Sequence, residues 1–139
     1  MKAIIPVAGA GTKLRPHTYT QPKALIPLAG RTILSIIIDQ LVEAGIKEFV
    51  FVVGYLGEKI QDYVEQKYPD LTCHFVQQNS REGTGHAILL TRDIVKNDEI
   101  LIVLGDTIAE GDFRELIESP VSMLGLKKVD DPRNFGVAE

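Results

Sequence analysis

A chain of 139 residues is one domain's worth, and it can bury about two thirds of the surface its unfolded form exposes, so its core needs neither disulfides nor metals. Hydrophobic residues at 45% and charged residues at 24% are ordinary for a globular protein, and a formal charge of −4 argues against a nucleic-acid partner, which would require a basic face. The single cysteine, Cys73, rules out an internal disulfide and, with no metal-ligand spacing around it, reads as a packing residue.

Met1-Lys2 leads directly into a short apolar run, and no signal peptide is visible. No apolar stretch approaches the ~18–20 residues that span a membrane, so a cytoplasmic protein without a membrane partner is expected. Residues 3–8 form an apolar run ended by Gly9 and read as a buried strand of a parallel sheet. Residues 9–22 mix Gly, Thr, Pro and His without a period and read as a long functional loop.

Thr32 is placed to cap a helix running to about residue 44, with Gly45 to end it. That helix is apolar almost all round, which predicts burial. Residues 48–53 read as a second strand, 57–67 as an amphipathic helix, and 71–77 as a third strand. Residues 83–95 read as a helix with Ala87, Ile88 and Leu90 inward, and 99–104 as a fourth strand halted by Gly105-Asp106. A short helix at 113–118 and a fifth strand at 121–126 complete the series. The alternation of strands and helices predicts an α/β fold: a doubly wound, mostly parallel sheet with helices on both faces. Ligands in such sheets sit beyond the carboxyl ends of the strands. That rule selects the loop after Ala8, the loop after Gln77, and Gly105-Asp106.

The loop Gly9-Ala10-Gly11-Thr12-Lys13-Leu14-Arg15-Pro16 has the composition of a polyphosphate cradle. Two glycines permit a tight turn, and successive backbone N–H groups make an anion-binding nest. Lys13, Arg15 and Lys23 add cations nearby. The dinucleotide fingerprint fails, because its third glycine would fall at Leu14 and its acidic residue near Arg31 and Thr32. The P-loop also fails, since no Gly-Lys pair occurs in the chain. Lys23 lies between Pro22 and Pro27, which stiffen the backbone and let the ammonium act as a fixed point charge.

In the second place, Gln78 offers both a donor and an acceptor, which suits the edge of a nucleobase. Gly83 and Gly85 at a helix start let a flat ligand approach the backbone, and a helix start favours negative charge. His86 falls inside that helix with no partner visible and reads as a packing or structural residue. In the third place, Asp106 at a strand end is a suitable ligand for Mg²⁺, which takes one or two carboxylates together with phosphate oxygens.

The run Ile5-Pro6-Val7-Ala8-Gly9-Ala10-Gly11-Thr12-Lys13-Leu14-Arg15-Pro16, followed by Gln21-Pro22-Lys23-Ala24-Leu25-Ile26-Pro27-Leu28, resembles the signature of the sugar-1-phosphate nucleotidyltransferases. That family's pattern is G-x-G-T-R-L-x-P and then P-K-x-L-x-P. Lys13 stands where the family usually has arginine, which keeps the charge and loses the bidentate fork. Gln78 with Gly83-Thr84 resembles the element that reads the base. Its Gly-Thr-Gly-His-Ala form is especially like the uridylyl- and guanylyl-transferring branches. Gly105-Asp106 resembles the Mg²⁺ element, and Asn134-Phe135-Gly136-Val137-Ala138-Glu139 resembles a strand whose glycine approaches the sugar.

The resemblance implies a Rossmann-like nucleotidyltransferase fold, of which residues 1–139 are the N-terminal, nucleotide-binding part. The remainder of the domain, with a second metal-binding aspartate, is expected beyond Glu139. It implies catalytic roles for Lys13, Lys23 and Asp106, and a metal site for Mg²⁺ at Asp106. It places nucleotide contacts at Val7, Ala8, Gly9, Ala10, Gly11, Thr12, Gln78, Gly83 and Thr84, and sugar contacts at Gly105 and Gly136. The implied substrates are a nucleoside triphosphate and a sugar 1-phosphate. Three alternatives stay open: a nucleotide-binding homologue without turnover, transfer to a non-sugar phosphate such as phosphocholine, and a nucleotide-dependent oxidoreductase. An exposed sheet edge would allow a homo-oligomer.

Overall fold

The computed structural model of the chain describes residues 1–9, 11, 14, 16–80, 82–131 and 133. Four parallel strands make the main sheet: β1 (Lys2–Pro6), β4 (Glu48–Val53), β5 (Thr72–Gln77) and β6 (Ile100–Ile102). A two-stranded ribbon, β2 (Pro27–Leu28) with β3 (Arg31–Thr32), stands apart. The helices are α1 (Ile33–Glu43), α2 (Gly57–Lys67), α3 (Thr84–Leu90), α4 (Arg92–Val95) and α5 (Phe113–Ile117).

The sheet order is β5-β4-β1-β6. The chain steps outward on one side from β1 to β4 to β5, and then crosses back to lay β6 on the other side of β1. Ile4 is registered with Val50 on one flank and Ile102 on the other, so β1 is bonded along both edges. The gap between the carboxyl ends of β1 and β6 is the topological switch point, where connections diverge and leave a crevice.

Alternation along β1 and β4 divides the core in two. Ala3, Ile5, Phe49 and Phe51 face Leu34, Ile37, Ile38 and Leu41 of α1 and Ile60 and Val64 of α2. Ile4, Val50 and Val52 face Ala87 and Val95. This is the doubly wound arrangement, and both faces of the central strands are dry over Ala3–Ile5 and Phe49–Val53, where every side chain is apolar and buried; the charged residues Lys2 and Glu48 stand at the strand starts and pair with each other. The rings of Phe49, Phe51 and Phe75 stack with centroids 6.0 and 5.3 Å apart, which fills the space under α2. α1 buries a single stripe rather than its whole circumference, and Val42 is 40% exposed. Cys73 is half-buried in β5 and burial pushes its thiol up to about 11, as suits a packing residue.

Four features differ from the sequence expectations. The helix expected over 83–95 is divided at Thr91, which is fully buried and whose hydroxyl donates to the Ile88 carbonyl at 2.7 Å. That bond competes with the backbone ladder and ends α3. The strand expected over 99–104 closes at Ile102, although Val103 and Gly105 still donate to the Ile4 and Pro6 carbonyls. The alternate residues of β1 donate toward β6, as Lys2 does to Glu99, and Pro6 has no N–H with which to continue. The strand expected over 121–126 does not form: the run is irregular, with Val121, Leu124 and Leu126 about 70% exposed (69, 73 and 69%). An apolar alternation makes a strand only against a partner, and no described strand lies beside it. The ribbon β2–β3 was not anticipated; Ala29 and Gly30 turn it at φ of +50° and +82°, a reversal with both central residues left-handed.

Thr32 anchors α1 as expected. Its hydroxyl oxygen accepts from the Ser35 N–H at 3.0 Å, and the hydroxyl donates to Tyr63 on α2 at 2.9 Å. One side chain therefore caps one helix and ties it to another. Replacing it, Thr32→Ala, is expected to lower unfolding free energy by about 1–2 kcal/mol in urea titration, and Thr32→Ser to keep most of it.

Candidate functional site

The switch point holds a cleft of about 630 Å³. Its floor is the end of β1 and the residues after it, Val7, Ala8 and Gly9, beside the end of β6 with Leu104, Gly105 and Asp106. These two ends are held level by hydrogen bonds that outlast the strands: Val7 N–H to Val52 O at 2.8 Å and Gly105 N–H to Pro6 O at 3.2 Å. The walls are Gly11, Lys23 and Ala24 on one side and Gln78, Gly83, Thr84 and Ala87 on the other.

Gly105 explains how close the floor strands come. A Cβ there would lie 2.2 Å from Val7 Cγ1 and 2.9 Å from the Pro6 carbonyl oxygen. With a side chain at 105, Asp106 would be lifted off the end of β1. The first wall is folded back on itself. Gly11 has φ of +57°, its carbonyl accepts from the buried Thr18 hydroxyl at 2.8 Å, and a Cβ would collide with Thr18 at 2.8 Å and press on Lys23 at 3.1 Å. Gly11 is thus the close contact that brings the opening loop against Lys23. Two residues of the β4–α2 segment secure the same loop: Tyr55 donates its hydroxyl to the Tyr19 carbonyl and Lys59 its ammonium to the Thr20 carbonyl.

Lys23 opens a 3₁₀ turn, Lys23–Leu25, in which Leu25 N–H bonds the Pro22 carbonyl and Ala24 and Leu25 are buried. With its backbone fixed, the side chain reaches across the cleft. Nζ lies 2.7 Å from Asp106 Oδ2, while Thr107 Oγ1 donates to Oδ1 at 3.2 Å. The Lys23 ammonium is the chief reason the Asp106 carboxyl is held below the ordinary aspartate range; partial burial opposes it. Lys23 and Asp106 are 83 residues apart in sequence and were expected to act on different groups, a phosphate and a metal. Their direct pairing is the main feature the sequence reading missed, and no spacing signal could have revealed it.

The opposite wall holds a second contact that the sequence hid. Gln78 Nε2 donates to the Gly83 carbonyl at 3.3 Å and faces His86 Nδ1 at 3.1 Å. His86, which appeared partnerless, is therefore tied to a cleft residue.

Of the residues singled out from sequence, Val7, Ala8, Gly9, Gly11, Lys23, Gln78, Gly83, Thr84, Gly105 and Asp106 all line this one cleft. Ala10, Thr12, Lys13, Arg15 and Gly136 lie outside the described residues. Leu14, Ala24, Ala87 and Leu104, not singled out, supply apolar lining. Among the described residues no cluster of three or more His, Cys, Asp or Glu is shaped to cage a metal. Asp106 is a single, half-exposed carboxylate, ionised at neutral pH and open to the cleft, which fits Mg²⁺ sharing its shell with phosphate oxygens and water. Among the described residues no helix is long and apolar enough to cross a membrane.

The model of one protein family, described as "Nucleotidyl transferase", matches residues 2–139. The bifunctional protein GlmU of Methanococcus vannielii is 42% identical over 139 residues, which are all of this chain and 32% of that protein. The UTP–glucose-1-phosphate uridylyltransferase AglF of Haloferax volcanii is 33% identical over 118 residues, 85% of this chain and 48% of that one. Among solved structures, the UTP-bound UGPase of Acinetobacter baumannii superposes with a TM-score of 0.74 at 26% identity, covering 84% of this chain and 50% of that one. The chain thus spans about a third of the first relative's length and about half of the other two.

Two outcomes are expected from the geometry. Because the folded carboxyl of Asp106 is depressed, the Lys23–Asp106 pair contributes stability above the ordinary aspartate range near pH ~4 and loses it as pH falls through the depressed value. NMR titration should place Asp106 below that range, and Lys23→Met should raise it. Gly105→Ala should destabilise the fold by about 1–3 kcal/mol in denaturant unfolding, since backbone sits in the way of the new methyl.

Proposed function

We propose that this chain, which belongs to the nucleotidyl transferase family, carries the triphosphate- and base-contacting part of a sugar-1-phosphate nucleotidyltransferase. The observation that carries this reading is the Lys23–Asp106 pair, held 2.7 Å apart on the floor of a cleft at the switch point. A cation and a carboxylate that face each other in an open cleft are poised to exchange partners when an anion and a metal ion arrive together.

In the proposed reaction an oxygen of the sugar 1-phosphate attacks the α-phosphorus of the triphosphate in line. The new P–O bond forms as the bond to the leaving pyrophosphate breaks, giving a nucleotide-sugar. The attacking phosphate is already ionised, so no general base is required, and catalysis is positioning and charge neutralisation. Lys23 turns from Asp106 to neutralise the attacking phosphate. Asp106, released, is the residue that would hold Mg²⁺, which when bound supplies charge neutralisation at the α- and β-phosphate oxygens. The N–H groups of the Gly9–Gly11 turn, with Lys13, hold the departing pyrophosphate. Gln78, Gly83 and Thr84 take the base, and Gly105 and Gly136 are assigned to the sugar. The relatives' names, a uridylyltransferase acting on glucose 1-phosphate and a UTP-bound UGPase, support the substrate class.

A nucleotide-binding homologue without turnover is the second reading, favoured by Lys13 standing where the resembling family carries the bidentate arginine. Residues 1–139 alone are expected to bind weakly and turn over poorly, so the two are separated in the full-length protein, by measuring thermal shift and pyrophosphate release with UTP, dTTP, GTP, ATP and CTP, each with Mg²⁺ and glucose 1-phosphate. At least one triphosphate should raise the melting temperature, and Asp106→Ala should weaken its binding about tenfold or more, roughly the strength of one charged contact. Binding without pyrophosphate release would favour the second reading. No shift with any triphosphate would overturn both.

A further inference from the structure

We infer that His86 is a positioning residue that fixes the Gln78 amide with its oxygen toward the ligand, and so selects bases whose pairing edge carries a ring N–H. This rests on the nucleotide-binding reading above and adds to it the class of base.

The carbonyl of Gly83 can only accept a hydrogen bond, so the Gln78 amide atom 3.3 Å from it is the nitrogen. The same nitrogen lies 3.1 Å from His86 Nδ1. A nitrogen that donates requires Nδ1 to accept, which leaves the ring proton on Nε2. Both hydrogens of the amide are then committed, one to Gly83 and one to His86. Among the described residues Oε1 of Gln78 has no partner, and Gln78 lines the cleft. The side chain that looked from sequence like a universal donor–acceptor is therefore an acceptor alone.

An acceptor pairs with the ring N–H of uracil, thymine or guanine. Adenine and cytosine present a ring nitrogen lone pair at the corresponding position, and two acceptors facing each other repel while losing their water. Recognition then depends on an orientation that Gln78 cannot hold by itself, because rotating its amide by half a turn exchanges oxygen for nitrogen. His86 and Gly83 together make that rotation costly.

The test is the affinity of the full chain for UTP, dTTP, GTP, ATP and CTP with Mg²⁺, measured for wild type, His86→Leu and His86→Asn. Wild type should bind at least one of UTP, dTTP or GTP about tenfold or more tightly than ATP or CTP, the scale of one misplaced polar contact. His86→Leu should reduce that ratio severalfold with the melting temperature held. His86→Asn, whose Oδ1 can stand where Nδ1 stood, should restore it. In parallel, ¹⁵N NMR of the wild-type imidazole should show Nδ1 unprotonated, a measurement that holds even if His86→Leu does not fold. Preference for ATP or CTP, an unchanged ratio in His86→Leu, or a proton on Nδ1 would overturn the inference. Absence of binding by wild type to all five would instead remove the nucleotide-binding reading beneath it.

Discussion

β1 is hydrogen-bonded on both edges, and everything at the site follows from that. A strand paired with β4 on one side and β6 on the other places two loops at its carboxyl end, one that continues from itself and one that arrives from 100 residues later in the chain. The connection leaving β1 crosses one face through α1 to reach β4, and the connection that delivers β6 returns over the other face through α3 and α4, so neither closes the gap above β1. The cleft is a consequence of strand order, and the apolar alternation that buries Ile4 on one face and Ile5 on the other is what makes that order stable. Pro6 marks the transition: it ends regular pairing toward β6 while its carbonyl still receives Gly105, so the two ends remain level where Asp106 begins.

Charge in the cleft is stored in balanced form. Lys23 and Asp106 are partly exposed, at 33% and 50% of their side-chain surface, so their attraction is moderate and can be exchanged for other partners. A deeply buried pair would resist separation, and two unpaired charges of one sign would repel one of the proposed substrates. In the proposed reaction a polyanion and a metal ion meet in this cleft, and a half-exposed pair of opposite charges would offer each its complement without leaving either charge isolated beforehand. The opposite wall works through hydrogen bonding alone. There Gln78 Nε2 bridges the Gly83 carbonyl and His86 Nδ1, and with the tautomer inferred above both amide hydrogens are spent while Oε1 remains for a ligand.

The family signature, the α/β class and the boundaries of β4 and α2 were legible in the residues themselves, whereas β1, read over 3–8, runs from Lys2 to Pro6. Residues 48–53 and 57–67 fold as their apolar periods indicate, because buried parallel strands and amphipathic helices are specified by their own side chains. Thr32 is likewise legible, since capping is a contact between neighbours in sequence. The expectations that failed depended on partners. The run at 121–126 has a strand's pattern and no strand beside it, and the helix over 83–95 is cut where buried Thr91 turns its hydroxyl onto Ile88.

Local chemistry in the loops that follow the strands was enough to single out Gly9, Gly11, Lys23, Gln78, Gly83-Thr84 and Gly105-Asp106, all of which line the cleft. Only the tertiary structure decided how they meet. Lys23 with Asp106, Gln78 with His86, and Gly105 against Val7 are juxtapositions made by strand order and close approach, across separations that carry no periodic or compositional trace. Local patterns encode what a segment buries and where it turns. Which charge faces which, and which atom of an amide is left over, depends on distances that exist only after the sheet has closed.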